Sequence, residues 1–107
     1  MGQVYQVYII RNVDNGKAYV GVSASKSWWD THRESLQLQR KVRSPLQVAL
    51  REYGESKFTR RVVAEVDREE ADEQRARLID LLGTLAPAGY NRSQYPSMGE
   101  MWLEGFF

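Results

Sequence analysis

Residues 4–23, VYQVYIIRNVDNGKAYVGVS, decide how this chain folds. Val4 to Arg11 and Lys17 to Ser23 are rich in β-branched and aromatic residues, the composition of strands. Between them stands Asn12-Val13-Asp14-Asn15-Gly16, and its Asn15-Gly16 pair tolerates the positive φ of a tight I′ hairpin turn. An antiparallel hairpin therefore opens the fold. Tyr8 and Tyr19 lie eleven residues apart across it. They are expected to stand near each other on one sheet face, where two phenols can hydrogen-bond a phosphate or a water.

Working outward, the serines at 23, 25 and 27 offer N-caps for a helix from about Trp28 to Gln39, whose apolar face is carried by Trp28, Trp29, His32, Leu36 and Leu38. Ser44-Pro45 starts a second helix, with Leu46, Ala49, Leu50 and Tyr53 at helical spacing and Gly54 as a left-handed cap. Phe58 to Val66 reads as a third strand, with Val62, Ala64 and Val66 on one face. Asp67 and Glu70 suggest a capping box for a last helix, which carries Ala71, Leu78, Ile79 and Leu82 and ends at Gly83. The order is β-β-α-α-β-α, followed by a tail from Arg92 to Phe107 with no clear period.

The 107 residues, 42% hydrophobic and 11% aromatic, make one small domain with a modest core. Cysteine is absent, which removes disulfides, thiolate zinc sites and cysteine nucleophiles and fits a reducing compartment. With one His, no G-x-x-x-x-G-K-[ST] loop and no G-x-S-x-G elbow, most hydrolase and nucleotide-cleaving chemistries lack their parts. No stretch approaches the ~20 apolar residues of a membrane span, and the first residues lack a basic leader, so a cytoplasmic protein without membrane partners is expected. The formal net charge of +1 hides a segregation. From Lys26 to Arg61 nine basic residues face four acidic ones, whereas from Glu65 to Asp80 three basic face seven acidic. Arg40, Lys41, Arg43, Arg51, Lys57, Arg60 and Arg61 would give a nucleic-acid binder its phosphate-tracking surface; equally they suit solvated helix and loop faces.

Taken together, VYII, NGKAYVGVS, W-x-x-H on the first helix, SPLQVALREYG, KFTRRVVAEV and the closing LGTLAPAGYN resemble the GIY-YIG endonuclease domain over residues 4–91. The resemblance implies a small α+β fold, a three-stranded antiparallel sheet flanked by helices. It also implies hydrolysis of DNA phosphodiesters with one divalent metal. A tyrosine of the first two motifs would activate water, an arginine on the first helix would hold phosphate, a glutamate on the last helix would bind metal, and the asparagine of GYN would support the site. Tyr8, Tyr19 and His32 match family positions, as do Trp29, Gly21 and Asn91. The chain departs at four positions, two of them charged in the family: Gln6 stands for a glycine, Val7 for an isoleucine, Trp28 for the arginine and Arg75 for the glutamate.

A guanidinium cannot ligate a hard cation, so a degenerate nuclease centre is expected. In that reading Tyr8, Tyr19, Trp28, His32, Arg75 and Asn91 form a ligand site that holds nucleic acid or a phosphate-bearing nucleotide, Arg75 through charge-assisted hydrogen bonds and Trp28 or Trp29 through base stacking. Both tryptophans also suit a core. No metal is expected unless the chain is an active Mg²⁺- or Mn²⁺-dependent nuclease recruiting Asp72 or Glu73. A third reading is a protein-interaction module. The tail with Trp102, Leu103, Phe106 and Phe107 either packs on the domain or forms a partner or self-association surface. The resemblance also suits a phage or mobile-element setting.

Overall fold

A computed structural model of the chain describes residues 3–37 and 44–94, with side chains of 35–37 excepted. Strands β1 (Tyr5–Asn12) and β2 (Ala18–Ser23) form the opening hairpin, and helices α1 (Trp28–Gln37) and α2 (Pro45–Tyr53) follow. A single 3₁₀ turn, Glu55–Lys57, leads into β3 (Phe58–Val66), and α3 (Arg68–Leu82) completes the elements. The sheet is antiparallel in the order β2-β1-β3. The fold is thus the expected α+β arrangement. Among the described residues no helix is long and apolar enough to cross a membrane.

Because side chains alternate along a strand, β1 feeds two cores. Tyr8 and Ile10 join Tyr19, Trp28, Leu46, Ala49, Leu50, Phe58 and Tyr90 on the face covered by α1 and α2. Val7 joins Val20, Val22, Ala71 and Ile79 on the face covered by α3. Burying both faces explains why VYQVYII is almost continuously apolar.

Three local expectations are corrected. The hairpin loop is longer than a two-residue turn: Asn12 N donates to Lys17 O and Gly16 N to Asn12 O, both at 2.8 Å, leaving four residues in the loop. The cause is side-chain competition, since Asn12 Oδ1 accepts from Asp14 N and Asn15 Oδ1 from Lys17 N, each at 2.9 Å. Gly54 takes a positive φ of 83° with an extended ψ of 149°, so it caps α2 by donating to Leu50 O without entering the left-handed helical region. Gly83, at φ 64° and ψ 45°, does enter it. In β3 the register with β1 shifts at Val63, so Ala64 pairs with Val7 while Val62 pairs with Tyr8. The resulting bulge turns Val62 away from the face that Ala64 and Val66 share, and it is exposed.

The N-caps of α2 and α3 stand where they were read: Ser44 accepts from Gln47 N and Asp67 from Glu70 N. Along α3, however, the inward stripe is Ala71, Arg75, Ala76 and Ile79, and Leu82 is exposed. Arg40, Lys41, Arg43, Leu38 and the aromatic residues of the tail lie outside the described residues.

Candidate functional site

The hairpin register places Tyr8 opposite Gly21 and Tyr19 opposite Ile10, so the two tyrosines are diagonal neighbours on one face. Their ring centroids are 6.2 Å apart. α1 crosses above them and delivers Trp28 and, one turn later, His32. The His32 ring meets Tyr8 at 6.1 Å and Tyr19 at 5.8 Å, edge-on to both. Tyr8, Tyr19, Trp28 and His32 are therefore brought together.

Gly21 is required by this packing. A Cβ at that position would overlap the phenol ring of Tyr8, and its φ is not positive, so the need is for space alone. The Tyr8 hydroxyl stands 3.0 Å from His32 Nε2, donating when that nitrogen is unprotonated. Burial lowers the His32 imidazole from 6.5 to about 4, so the ring is neutral at physiological pH. The phenol thus meets an uncharged imidazole.

Trp28 is a core residue. It is buried and stacks on Tyr8 with ring centroids 3.8 Å apart and planes within 5°. Its indole Nε1 donates to Gln6 Oε1 at 2.8 Å, and Gln6 Nε2 donates in turn to Glu65 at 2.8 Å. Of the two tryptophans weighed for base stacking, Trp28 thus has its ring against a phenol. Trp29 is half-buried, with the Arg60 guanidinium 4.8 Å above its ring.

Arg75 and Asn91 serve other structures. Arg75 occupies the α3 stripe between Ala71 and Ile79, one turn from each, and is 1% exposed. Its Nη1 donates to Gln94 O at 3.1 Å, and Gln94 Nε2 donates back to Ala76 O at 3.1 Å. This strap fastens the segment beyond GYN onto α3, and Gln94 was not legible as its partner. Asn91, wholly buried, uses its amide as a peptide group would: Oδ1 accepts from Val20 N at 2.9 Å and Thr84 Oγ1 at 2.8 Å, while Nδ2 donates to Val20 O at 2.9 Å. It completes the outer edge of β2. Tyr90 adds a buried phenol that accepts from Asn12 Nδ2 at 3.1 Å and Asn15 Nδ2 at 3.2 Å, locking the hairpin loop.

The donor set on α3 does not fit a divalent cation. The position the resemblance assigns to a carboxylate holds a buried guanidinium, Asp72 is ion-paired to Arg68 at 3.6 Å, and Glu73 points to solvent. Among the described residues no three or more His, Asp or Glu side chains gather as a metal would need. A substitute phosphate clamp on α1 is equally engaged, since Arg33 pairs with Glu55 at 2.9 Å and Asp30 at 3.4 Å.

Of the basic residues within the described segments, Arg51, Lys57, Arg60 and Arg61 are all exposed. They do not share one face. Arg60 pairs with Ile10 and Arg61 with Ile9, so they flank β3 on opposite sides. Lys57 lies 3.6 Å from Asp14.

No protein-family model matches the sequence, and no curated protein matches it. Two solved structures do. A glutamate-to-alanine mutant of the catalytic domain of intron endonuclease I-TevI superposes with a TM-score of 0.74, at 23% identity, over 87% of this chain and 97% of that one. The catalytic domain of homing endonuclease I-TevI superposes with a TM-score of 0.66, at 24% identity, over 87% of this chain and 99% of that one. The three-stranded antiparallel sheet and its flanking helices are thus an architecture shared with these two domains: this chain has the GIY-YIG nuclease fold.

Proposed function

We propose that the domain binds nucleic acid and does not cleave it. The observation that supports this best is the Tyr8–Trp28 stack: the phenol that would handle water in such a fold is 1% exposed, with an indole 3.8 Å from it. Phosphodiester hydrolysis needs groups aimed at the charge that develops on the phosphate. Here the α1 position suited to a guanidinium is an indole, and the α3 position suited to a carboxylate is a buried cation tied to Gln94. What remains on the surface is attraction for a polyanion, supplied by Arg51, Lys57, Arg60 and Arg61, with the Arg60-capped Trp29 ring as a contact for an unpaired base. The compact nucleotide pocket draws less support, because Trp28 and Arg75 are committed elsewhere.

The test combines cleavage and binding. Supercoiled plasmid with Mg²⁺ or Mn²⁺ is expected to stay intact, and nicking that disappears in Tyr8→Phe would overturn the reading. Fluorescence anisotropy with single- and double-stranded oligonucleotides is expected to show binding that falls by roughly an order of magnitude or more between about 50 and 200 mM salt. Arg61→Ala should weaken all oligonucleotides alike. Intact plasmid with no oligonucleotide binding at low salt would favour a protein-interaction module on this scaffold.

A further inference from the structure

Among the described residues β3 is an edge strand of nine residues, paired with β1 alone, and near its middle Val62 and Val63 are both exposed. An edge of that length presents unpaired backbone donors and acceptors along its outer side. Its sequence, FTRRVVAEV, is complementary to itself when reversed about the Val62–Val63 bond: Arg60 then meets Glu65, Arg61 meets Ala64 and Thr59 meets Val66.

Faces match as well as charges. Residues five apart on a regular strand point to opposite faces. The bulge at Val63 cancels that, because Arg60 pairs with Ile10 and Glu65 with Gln6, both on the β1 face that carries Tyr8. Arg61 and Ala64 pair with Ile9 and Val7 and so share the other face. In an antiparallel pair of β3 strands each Arg60 would face the second copy's Glu65 on the same side of the sheet, twice by symmetry. Opposite charges across adjacent strands stabilise pairing, and like charges oppose it. Both side chains are already oriented, Arg60 by the Trp29 ring and Glu65 by Gln6 Nε2.

We infer that β3 is a self-association edge, joining two copies of this chain through antiparallel β3–β3 pairing into one six-stranded sheet. The inference does not rest on nucleic-acid binding, although Arg60 serves in both. An isologous contact of this kind closes as a dimer and does not propagate.

Light scattering after size exclusion, over a concentration series, should show a dimer. Glu65→Arg should weaken dimerisation by about tenfold or more, since two attractions become two repulsions. That variant gains positive charge, so oligonucleotide affinity should hold or rise, which separates the dimer from the nucleic-acid reading. The doubly reversed Arg60→Glu/Glu65→Arg protein should dimerise again. Because the chain has no cysteine, mixing Val62→Cys with Val63→Cys should give a disulfide-linked heterodimer faster than a mixture of Val62→Cys with Lys57→Cys. Far-UV circular dichroism confirms that each variant is folded. A monomer at every concentration, a dimer indifferent to Glu65→Arg, or a double variant that stays monomeric would overturn the inference.

Discussion

The indole of Trp28 lies parallel to the phenol of Tyr8 at a centroid separation of 3.8 Å, and its Nε1 donates to Gln6 Oε1 at 2.8 Å. Gln6 and Trp28 stand at two of the four positions where the chain departs from the motifs it resembles, and they are hydrogen-bonded to each other. The two departures are therefore one structural unit. In a double-mutant cycle with Gln6→Ala and Trp28→Phe, urea denaturation should give a coupling free energy of about 1 kcal/mol, the worth of one partly buried hydrogen bond. Additive losses would show that the two residues act separately.

Gly21→Ala should destabilise the domain by about 1–3 kcal/mol, because the new methyl group has to displace the Tyr8 ring from between β2 and Trp28. Combining it with Tyr8→Ala should recover part of the loss, since the obstacle is then gone. Equilibrium unfolding of the four proteins checks this.

Asn91→Asp preserves shape but replaces a donor by an acceptor opposite Val20 O, in a wholly buried place. A loss of roughly 3 kcal/mol is expected, larger than for Asn91→Ala if the carboxyl remains charged. The loss should shrink at acidic pH, where a protonated carboxyl can donate again. Thermal melts at pH 4 and pH 7 distinguish the cases.

His32 sets an acid limb. Its folded-state pKa of about 4 lies below the ordinary 6.5, so between those values the unfolded chain binds a proton that the folded chain refuses. Its contribution is complete above pH 6.5 and is lost as pH falls toward 4, amounting to about 2 kcal/mol for a partly exposed ring. His32→Gln should flatten that limb. As the sole histidine, it also gives one readable imidazole resonance for an NMR titration.

Arg75→Met should release the strap to Gln94 while keeping the helix stripe apolar. Hydrogen exchange is expected to accelerate in the segment after Asn91, with α3 itself little changed. Unchanged exchange there would show that Gln94 is held by its bond to Ala76 alone.

The strands and the ends of α2 and α3 are legible in the sequence because local signals and tertiary demand agree: β-branched runs, Ser44-Pro45, Asp67 and Gly83 all act where they stand. The loop at Asn15-Gly16 misleads because Asn12 and Asn15 spend their side chains on the backbone. The bulge at Val63 leaves no mark in a run of apolar residues. Arg75 reads as a group for holding phosphate, since the carbonyl that engages it lies 19 residues later. Trp28 and Gln6, 22 residues apart, likewise reveal their pairing only once α1 has crossed the sheet. Asn91 is recognisable by resemblance, yet its work as a surrogate strand edge belongs to the three-dimensional structure.

Tyr90 and Asn91 reach back 78 and 71 residues to Asn12 and Val20. Until they arrive, β2 keeps an open outer edge and the hairpin loop lacks its buried phenol. Contacts of such long sequence separation are paid for in loop-closure entropy before they return any stability. During synthesis the first hairpin must therefore wait, incompletely closed, until almost the whole domain has left the ribosome, and the residues that finish its edge are the ones that set when this small protein can first be native.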